Sequence, residues 1–224
     1  DPDMQAAVLA RVALEAELRQ AVEREQLALY LQPQVDDQNE VVGGEVLLRW
    51  LHPTRGVVSP MDFIPLAEET GLIIPIGRWV LEQACRHLVA WARDPITAHW
   101  SLSVNVSARQ LGQPDFEQQL QDMLERSGAN AQRLKIELTE SVMMEHAEST
   151  LNTMWRLKGM GITFSMDDFG TGYSSLSYLS RFSLNTVKID RSFVMGLQES
   201  SRNHSLVRAI ISMAHSLHLN VVAE

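Results

Sequence analysis

The chain has 224 residues, 45% hydrophobic and 21% charged, which is the composition of an ordinary globular protein with one large core or two small ones. Its net charge of −9 argues against non-specific nucleic-acid binding, which needs a basic footprint, although a phosphate-bearing ligand could bind where cations reverse the local sign. No stretch approaches the roughly 18 apolar residues of a membrane span and no apolar signal region opens the chain, so the expected location is the cytoplasm.

Residues 5–24 are predicted as a helix, with Leu14, Leu18, Ala21 and Val22 on an apolar stripe and Arg11, Glu15, Arg19 and Glu23 four apart on the other face. Such a helix reads as a linker from an upstream domain, dividing the chain into a linker at 1–24 and a main domain at 25–224. A first residue that is not Met, Asp1, adds the expectation that the chain is a piece of something longer. Strands are predicted at 28–35, 41–50, 100–105, 133–138, 162–167, 186–189 and 220–223. The first two are joined by Asp36-Asp37-Gln38-Asn39, which predicts a hairpin and hence one antiparallel strand. Between the later strands, Ile76/Val80/Ala84/Leu88/Trp91, Phe116/Leu120/Met123, Leu151/Met154/Leu157 and Leu206/Ile210/Met213/Leu217 follow helical spacing. The lone Cys85 lies on one of these helices, permits no internal disulfide and reads as a small buried hydrophobe.

Repeated strand-helix units predict a parallel sheet, open or closed. Alternation favours the closed form. In Leu134-Lys135-Ile136-Glu137-Leu138 the apolar residues share one face and Lys135 and Glu137 the other; Leu102/Val104/Val106, Phe164/Met166 and Val187/Ile189 repeat the pattern. A barrel requires this, with an apolar wall under the helices and a mouth that carries polar groups at the strand C-termini. A doubly wound sheet remains the alternative, but its central strands should be apolar on both faces.

The tract Phe164 to Tyr173 then carries the most chemistry. A strand ends in Asp167-Asp168 and passes into Gly170-Thr171-Gly172, and two adjacent carboxylates repel unless a cation lies between them. Hard oxygen ligands suit Mg²⁺, Mn²⁺ or Ca²⁺; the competing reading is a solvated Asp-Asp turn. Strand ends also deliver Asn105, Glu137, Lys188 and Glu224, with Glu45 inside the second strand on the face of Leu47 and Arg49. Each alone could be a surface ion pair, a cap or a solvated charge. Successive strands each bringing a hard ligand or a cation to one rim point instead to a metal site.

These residues resemble the EAL domain of cyclic-di-GMP phosphodiesterases. The resemblance runs from about Leu27 to Glu224 and rests on Gln32-Pro33-Gln34, Glu45-Val46-Leu47 with Arg49-Trp50, Phe63 to Ile73, Asn105-Val106-Ser107, Glu137-Leu138-Thr139-Glu140, Asp167 to Leu176, Lys188-Ile189-Asp190 and Val222-Ala223-Glu224. The middle Ala of the eponymous triplet is Val46 here. The resemblance implies a TIM-like eight-stranded β/α barrel with an antiparallel first strand, and hydrolysis of cyclic-di-GMP to linear pGpG with two Mg²⁺ or Mn²⁺ ions in bacterial signalling. It assigns Glu45, Asn105, Glu137 and Asp167 to the first metal, and Asp167, Asp168 and Glu224 to the second. Water activated between the ions attacks phosphorus, with Lys188 orienting it or meeting the phosphate. Glu45, Lys188 and Glu224 are thereby the catalytic set, Gln34 and Arg49 substrate contacts, and Glu140 the anchor of the Gly-rich loop. As partners the resemblance implies cyclic-di-GMP and an upstream signalling domain, leaves a homodimer open, and implies no DNA or RNA polymer and no membrane contact.

Two other readings stand beside the phosphodiesterase. An EAL-like domain that has lost catalysis acts as a cyclic-di-GMP receptor, which should show substitutions among the ligand positions. A barrel lyase of the enolase type also mounts carboxylates and lysines on strand ends, but expects one metal held by three carboxylates. The chain stops at Glu224, directly after the seventh predicted strand at 220–223, so a barrel is expected to be completed by further chain or by another polypeptide.

Overall fold

The computed structural model describes residues 2–145, 147–170, 179, 181–198 and 201–224. Helix α1 (Pro2–Arg19) leads into β1 (Leu27–Val35) and β2 (Val41–His52), which pair antiparallel as the hairpin signal requires. The Asp36 carboxylate accepts from the backbone N–H of Gln38 and Glu40, both at 2.9 Å, and so closes that hairpin. There follow β3 (Gly56–Val58), α2 (Pro60–Thr70), α3 (Ile73–Trp91), β4 (Ser101–Asn105), α4 (Ala108–Leu111) and α5 (Phe116–Ser127). The chain continues through β5 (Leu134–Thr139), α6 (Glu140–Glu145), α7 (Ala147–Gly159), β6 (Thr163–Phe169), β7 (Thr186–Ile189), α8 (Arg191–Met195), α9 (Ser201–Ser216) and β8 (Asn220–Ala223).

The sheet runs β1-β2-β4-β5-β6-β7-β8, parallel from β2 onward, and β3 pairs antiparallel with the end of β2. This is the order of a TIM-like α/β barrel wall with an antiparallel first strand. Among the described residues β1 pairs only with β2 and β8 only with β7. Strand β3 has no counterpart in the predicted elements, because three residues are too few to show a period of two.

Alternation sorts the side chains as expected. Leu102, Val104, Leu134, Ile136, Leu138, Phe164, Met166, Val187 and Ile189 are buried, and they pack in one core with the apolar stripes of α3, α5 and α7. The lumen-facing positions between them are all polar, with Ser103, Glu137, Ser165, Thr186 and Lys188 buried and Lys135 half-buried. Cys85 is buried on α3, and burial pushes its thiol up, in keeping with a structural role. No described helix is long and apolar enough to cross a membrane.

Two expected elements are corrected. The first helix ends at Arg19, and residues 20–25 form turns; Leu18 and Ala21 are still buried. In α9 the buried residues are Ile210 and Ala214, while Leu206 is 39% exposed. Ile210, Met213 and Leu217 of the predicted stripe pack on the core as expected, and Leu206 alone turns outward. Helix α1 is docked: Glu17 lies 3.3 Å from His52 and 3.1 Å from Arg55, and Arg11 is paired with Glu69 of α2.

Close strand approach sets one requirement on sequence. A Cβ added at Gly43 would stand 2.1 Å from the Ser101 carbonyl oxygen, which is backbone and cannot swing away. Gly43 is the partner of Ser101 in the β2–β4 register, so that pair forms the foot of the parallel sheet. We expect Gly43→Ala to destabilise the protein by about 3 kcal/mol or more, read as a lower urea midpoint at unchanged slope. A midpoint equal to wild type would show that β2 and β4 can separate at no cost.

Candidate metal centre

Lumen-facing positions toward the C-terminal ends of β4 to β8, with Glu45 from inside β2, converge on one point. The Lys188 ammonium on β7 donates to Glu45 Oε2 on β2 and to Glu137 Oε2 on β5, both at 2.9 Å. It also lies 3.2 Å from Asp167 Oδ1 and 2.5 Å from Glu224 Oε1. The parallel register explains the meeting: Asn105 is level with Glu137 and Thr139 with Asp167. Asn105 Nδ2 donates to Glu45 Oε1 at 2.8 Å, which leaves the amide oxygen, the harder ligand atom, for another partner.

Asp168 needs a separate explanation, because strict alternation would send it to the face opposite Asp167. The β6–β7 register shifts between Met166 and Phe169, and Asp168 has φ +53°, a left-handed conformation that Asp tolerates better than most residues. That bulge turns both neighbours to one side. Carboxylate oxygens of Glu45, Glu137 and Asp167 lie within 4.8 Å of one another, and so do those of Asp167, Asp168 and Glu224. Asp167 belongs to both groups. Gly170 follows at φ +98°, and its N–H is 3.4 Å from Glu140 Oε2 at the start of α6. Gly172 and most of the loop after it lie outside the described residues.

Burial dominates the electrostatics. It pushes Glu137 up to about 7 against the pull of Lys188, with Glu45 and then Asp167 adding to the rise. Burial also raises Asp168, helped by Asp167 and Asp190, and raises Glu224 against Lys188. For Lys188 burial acts downward, but Glu137, Asp167 and Glu45 outweigh it and hold the ammonium protonated well above the lysine range. One ammonium cannot neutralise four carboxylates. Glu137 Oε1 is moreover buried with no hydrogen-bond partner among the described residues. Hard oxygen donors, excess negative charge and an orphaned carboxylate oxygen are what a divalent cation would satisfy, so the two groups fit such ions.

Residues 15–224 match the EAL domain profile. The chain belongs to the EAL domain family. The bifunctional diguanylate cyclase/cyclic di-GMP phosphodiesterase MucR of Pseudomonas aeruginosa is 44% identical over 209 residues, 93% of this chain and 30% of that protein. Cyclic di-GMP phosphodiesterase PdeR of Escherichia coli is 39% identical over 223 residues, 100% of this chain and 33% of that protein. This EAL domain thus spans about a third of the length of the curated relatives it matches. Among solved structures, the PaMucR phosphodiesterase in complex with c-di-GMP superposes with a TM-score of 0.90 at 42% identity, covering 94% of this chain and 85% of that one.

Seven of the residues singled out in the sequence are thus together: Glu45, Asn105, Glu137, Asp167, Asp168, Lys188 and Glu224. Arg49 lies further up β2, 5.6 Å over the Tyr30 ring, and lines a cavity of about 380 Å³ with Asn105, Glu137, Glu68 and Ser107. Gln34 is not brought to the centre. It pairs with Gly43, toward the foot of the sheet, whereas Gln32 is the residue opposite Glu45, because β1 runs antiparallel. Asp190 was missed as a site residue. It shares a hydrogen bond with Asp168 and is held below the carboxylate range first by Ser192; its position two residues after Lys188 was the available signal.

Removing the ammonium leaves the carboxylates facing one another in a buried site. Without added divalent ions at neutral pH, we expect Lys188→Met to lose about 3–5 kcal/mol of unfolding free energy. Denaturation in urea measures it, and a loss of under about 1 kcal/mol, the scale of an exposed pair, would contradict the role of Lys188 as internal counter-ion.

Proposed function

We propose that this EAL domain hydrolyses cyclic-di-GMP to linear pGpG with two Mg²⁺ or Mn²⁺ ions. The carrying observation is that Asp167 is shared by two carboxylate groups, in a chain 39% identical to a named cyclic di-GMP phosphodiesterase. Glu45, Asn105, Glu137 and Asp167 would hold the first ion, and Asp167, Asp168 and Glu224 the second. Bound there, the ions supply an acidified water and positive charge for the phosphate oxygens. Lys188 adds a fixed cation at the floor of that charge and orients the attacking water. Asn105 keeps Glu45 in place through its amide donor, and Glu140 holds Asp168 in range through the Gly170 backbone.

Arg49 would meet the substrate at the mouth, where its planar fork suits phosphate and Tyr30 keeps the guanidinium in place. Register supports Gln32 better than Gln34 as the accompanying amide. In the same reading the domain works beside a signalling domain in a longer protein, a view supported by the greater length of its relatives.

Chromatography of nucleotides after incubation with cyclic-di-GMP tests the reaction. pGpG should form only with Mg²⁺ or Mn²⁺, and Glu45→Ala should abolish it. Undiminished turnover in excess chelator would sink the two-metal mechanism.

Affinity for the ions should depend on pH. Glu137, Asp168 and Glu224 all sit above their ordinary values, so each holds its proton to higher pH and must release it to become a ligand. Protons therefore compete increasingly as the pH falls through about 7, the value for Glu137. Calorimetry with Mn²⁺ should show binding that weakens below that pH and releases protons to the buffer; pH-independent affinity without proton release would refute this.

A further inference from the structure

Beneath the carboxylate centre the lumen remains polar, and three of its buried oxygens are unpaired. Ser103 Oγ, Ser165 Oγ and Glu137 Oε1 have no hydrogen-bond partner among the described residues, and the three residues are 1%, 0% and 1% exposed. All three belong to one patch around β5. Ser165 is level with Glu137 across the β5–β6 pair, and Ser103 is level with Lys135, two residues below Glu137, across the β4–β5 pair. Two of the oxygens are hydroxyls that can donate, and the third is a carboxylate oxygen that can only accept when ionised. Leaving a buried polar group unpaired costs about 1–3 kcal/mol, so such groups are normally satisfied, if necessary through water.

The geometry favours a bridge over a direct bond. Ser165 stands one strand, about 4.8 Å, from Glu137, and Ser103 one strand and two residues away; neither hydroxyl bonds to the carboxylate, so a water between them is the partner that would satisfy these oxygens. Buried waters sit where several polar groups converge, and a site with two hydroxyls and a carboxylate oxygen meets that condition. The other Glu137 oxygen already faces Lys188.

We propose that Ser103 and Ser165 are positioning residues, which hold a buried water on one lone pair of Glu137 Oε1 and so fix the carboxylate with the other lone pair free for the cation above it. This rests on the reading of the centre as a metal site. An alternative account of two serines in the lumen is that only small residues fit, in which case alanine serves equally.

The test uses Ser165→Ala, Ser103→Ala and the hydroxyl-keeping Ser165→Thr. Mn²⁺ binding is measured by calorimetry without nucleotide, together with urea midpoints and a high-resolution crystal structure of the wild-type chain. We expect each alanine variant to keep its midpoint while Mn²⁺ affinity falls about 10- to 100-fold, Ser165→Thr to recover most of it, and one water to bridge Ser165 Oγ and Glu137 Oε1. Wild-type Mn²⁺ affinity in both alanine variants, or a crystal structure with no such water, overturns the proposal. A wild-type chain that binds no Mn²⁺ overturns the metal reading instead, and the crystal structure still decides the water. If one alanine variant fails to fold, the other carries the comparison.

Discussion

Like charges at close range in a buried site govern this structure. Glu45, Glu137, Asp167 and Glu224 all face the Lys188 ammonium, and the barrel wall keeps water from diluting their repulsion. In a medium of low dielectric such an arrangement persists only when opposite charge is fixed among the carboxylates. Lys188 provides part of that charge from within the chain. The remaining imbalance is what makes the place suited to a divalent cation, and the rise of Glu137 to about 7 records the same imbalance as proton affinity.

The parallel sheet is what makes so dense a charge cluster attainable. Strands β4, β5 and β7 contribute one side chain each near the C-terminal end, β6 contributes two, β2 contributes Glu45 from its interior and Glu224 follows β8, all held by a ladder whose outer face is fastened to helices by Leu134, Ile136, Phe164, Val187 and their neighbours. The ligands therefore stand on rigid elements and lose little on being positioned. Only Asp168 departs from the ladder, and it does so through a register shift and a left-handed backbone. Among the carboxylates of the centre, a left-handed backbone is found only at Asp168, the residue that regular geometry would have turned outward.

Much of this was legible in the sequence because alternation is a direct imprint of burial. The pattern Lys135/Glu137 against Leu134/Ile136/Leu138 gives the face, the strand end and the candidate ligand together, and strands 186–189 and 220–223 coincide with β7 and β8. Features that depend on partners were not legible. The depth of Gln34 follows from pairing register, which a single strand does not encode. The outward Leu206 follows from which part of α9 meets the core, which its apolar periodicity does not specify. The link between Asp168 and Asp190 requires the bulge, for which the sequence offers only the Gly after Phe169.

Lys188 is separated by 143 residues from Glu45 and by 51 from Glu137. Contacts of such span cannot form from local segments, and chains dominated by them fold slowly. In order of synthesis, Glu45, Glu137 and Asp167 all leave the ribosome before the lysine that reconciles them. Until β7 docks, the carboxylates of β2, β5 and β6 face one another without their internal counter-ion. The rim is thus a feature of the assembled sheet alone, and no shorter segment of the chain can hold its charges in balance.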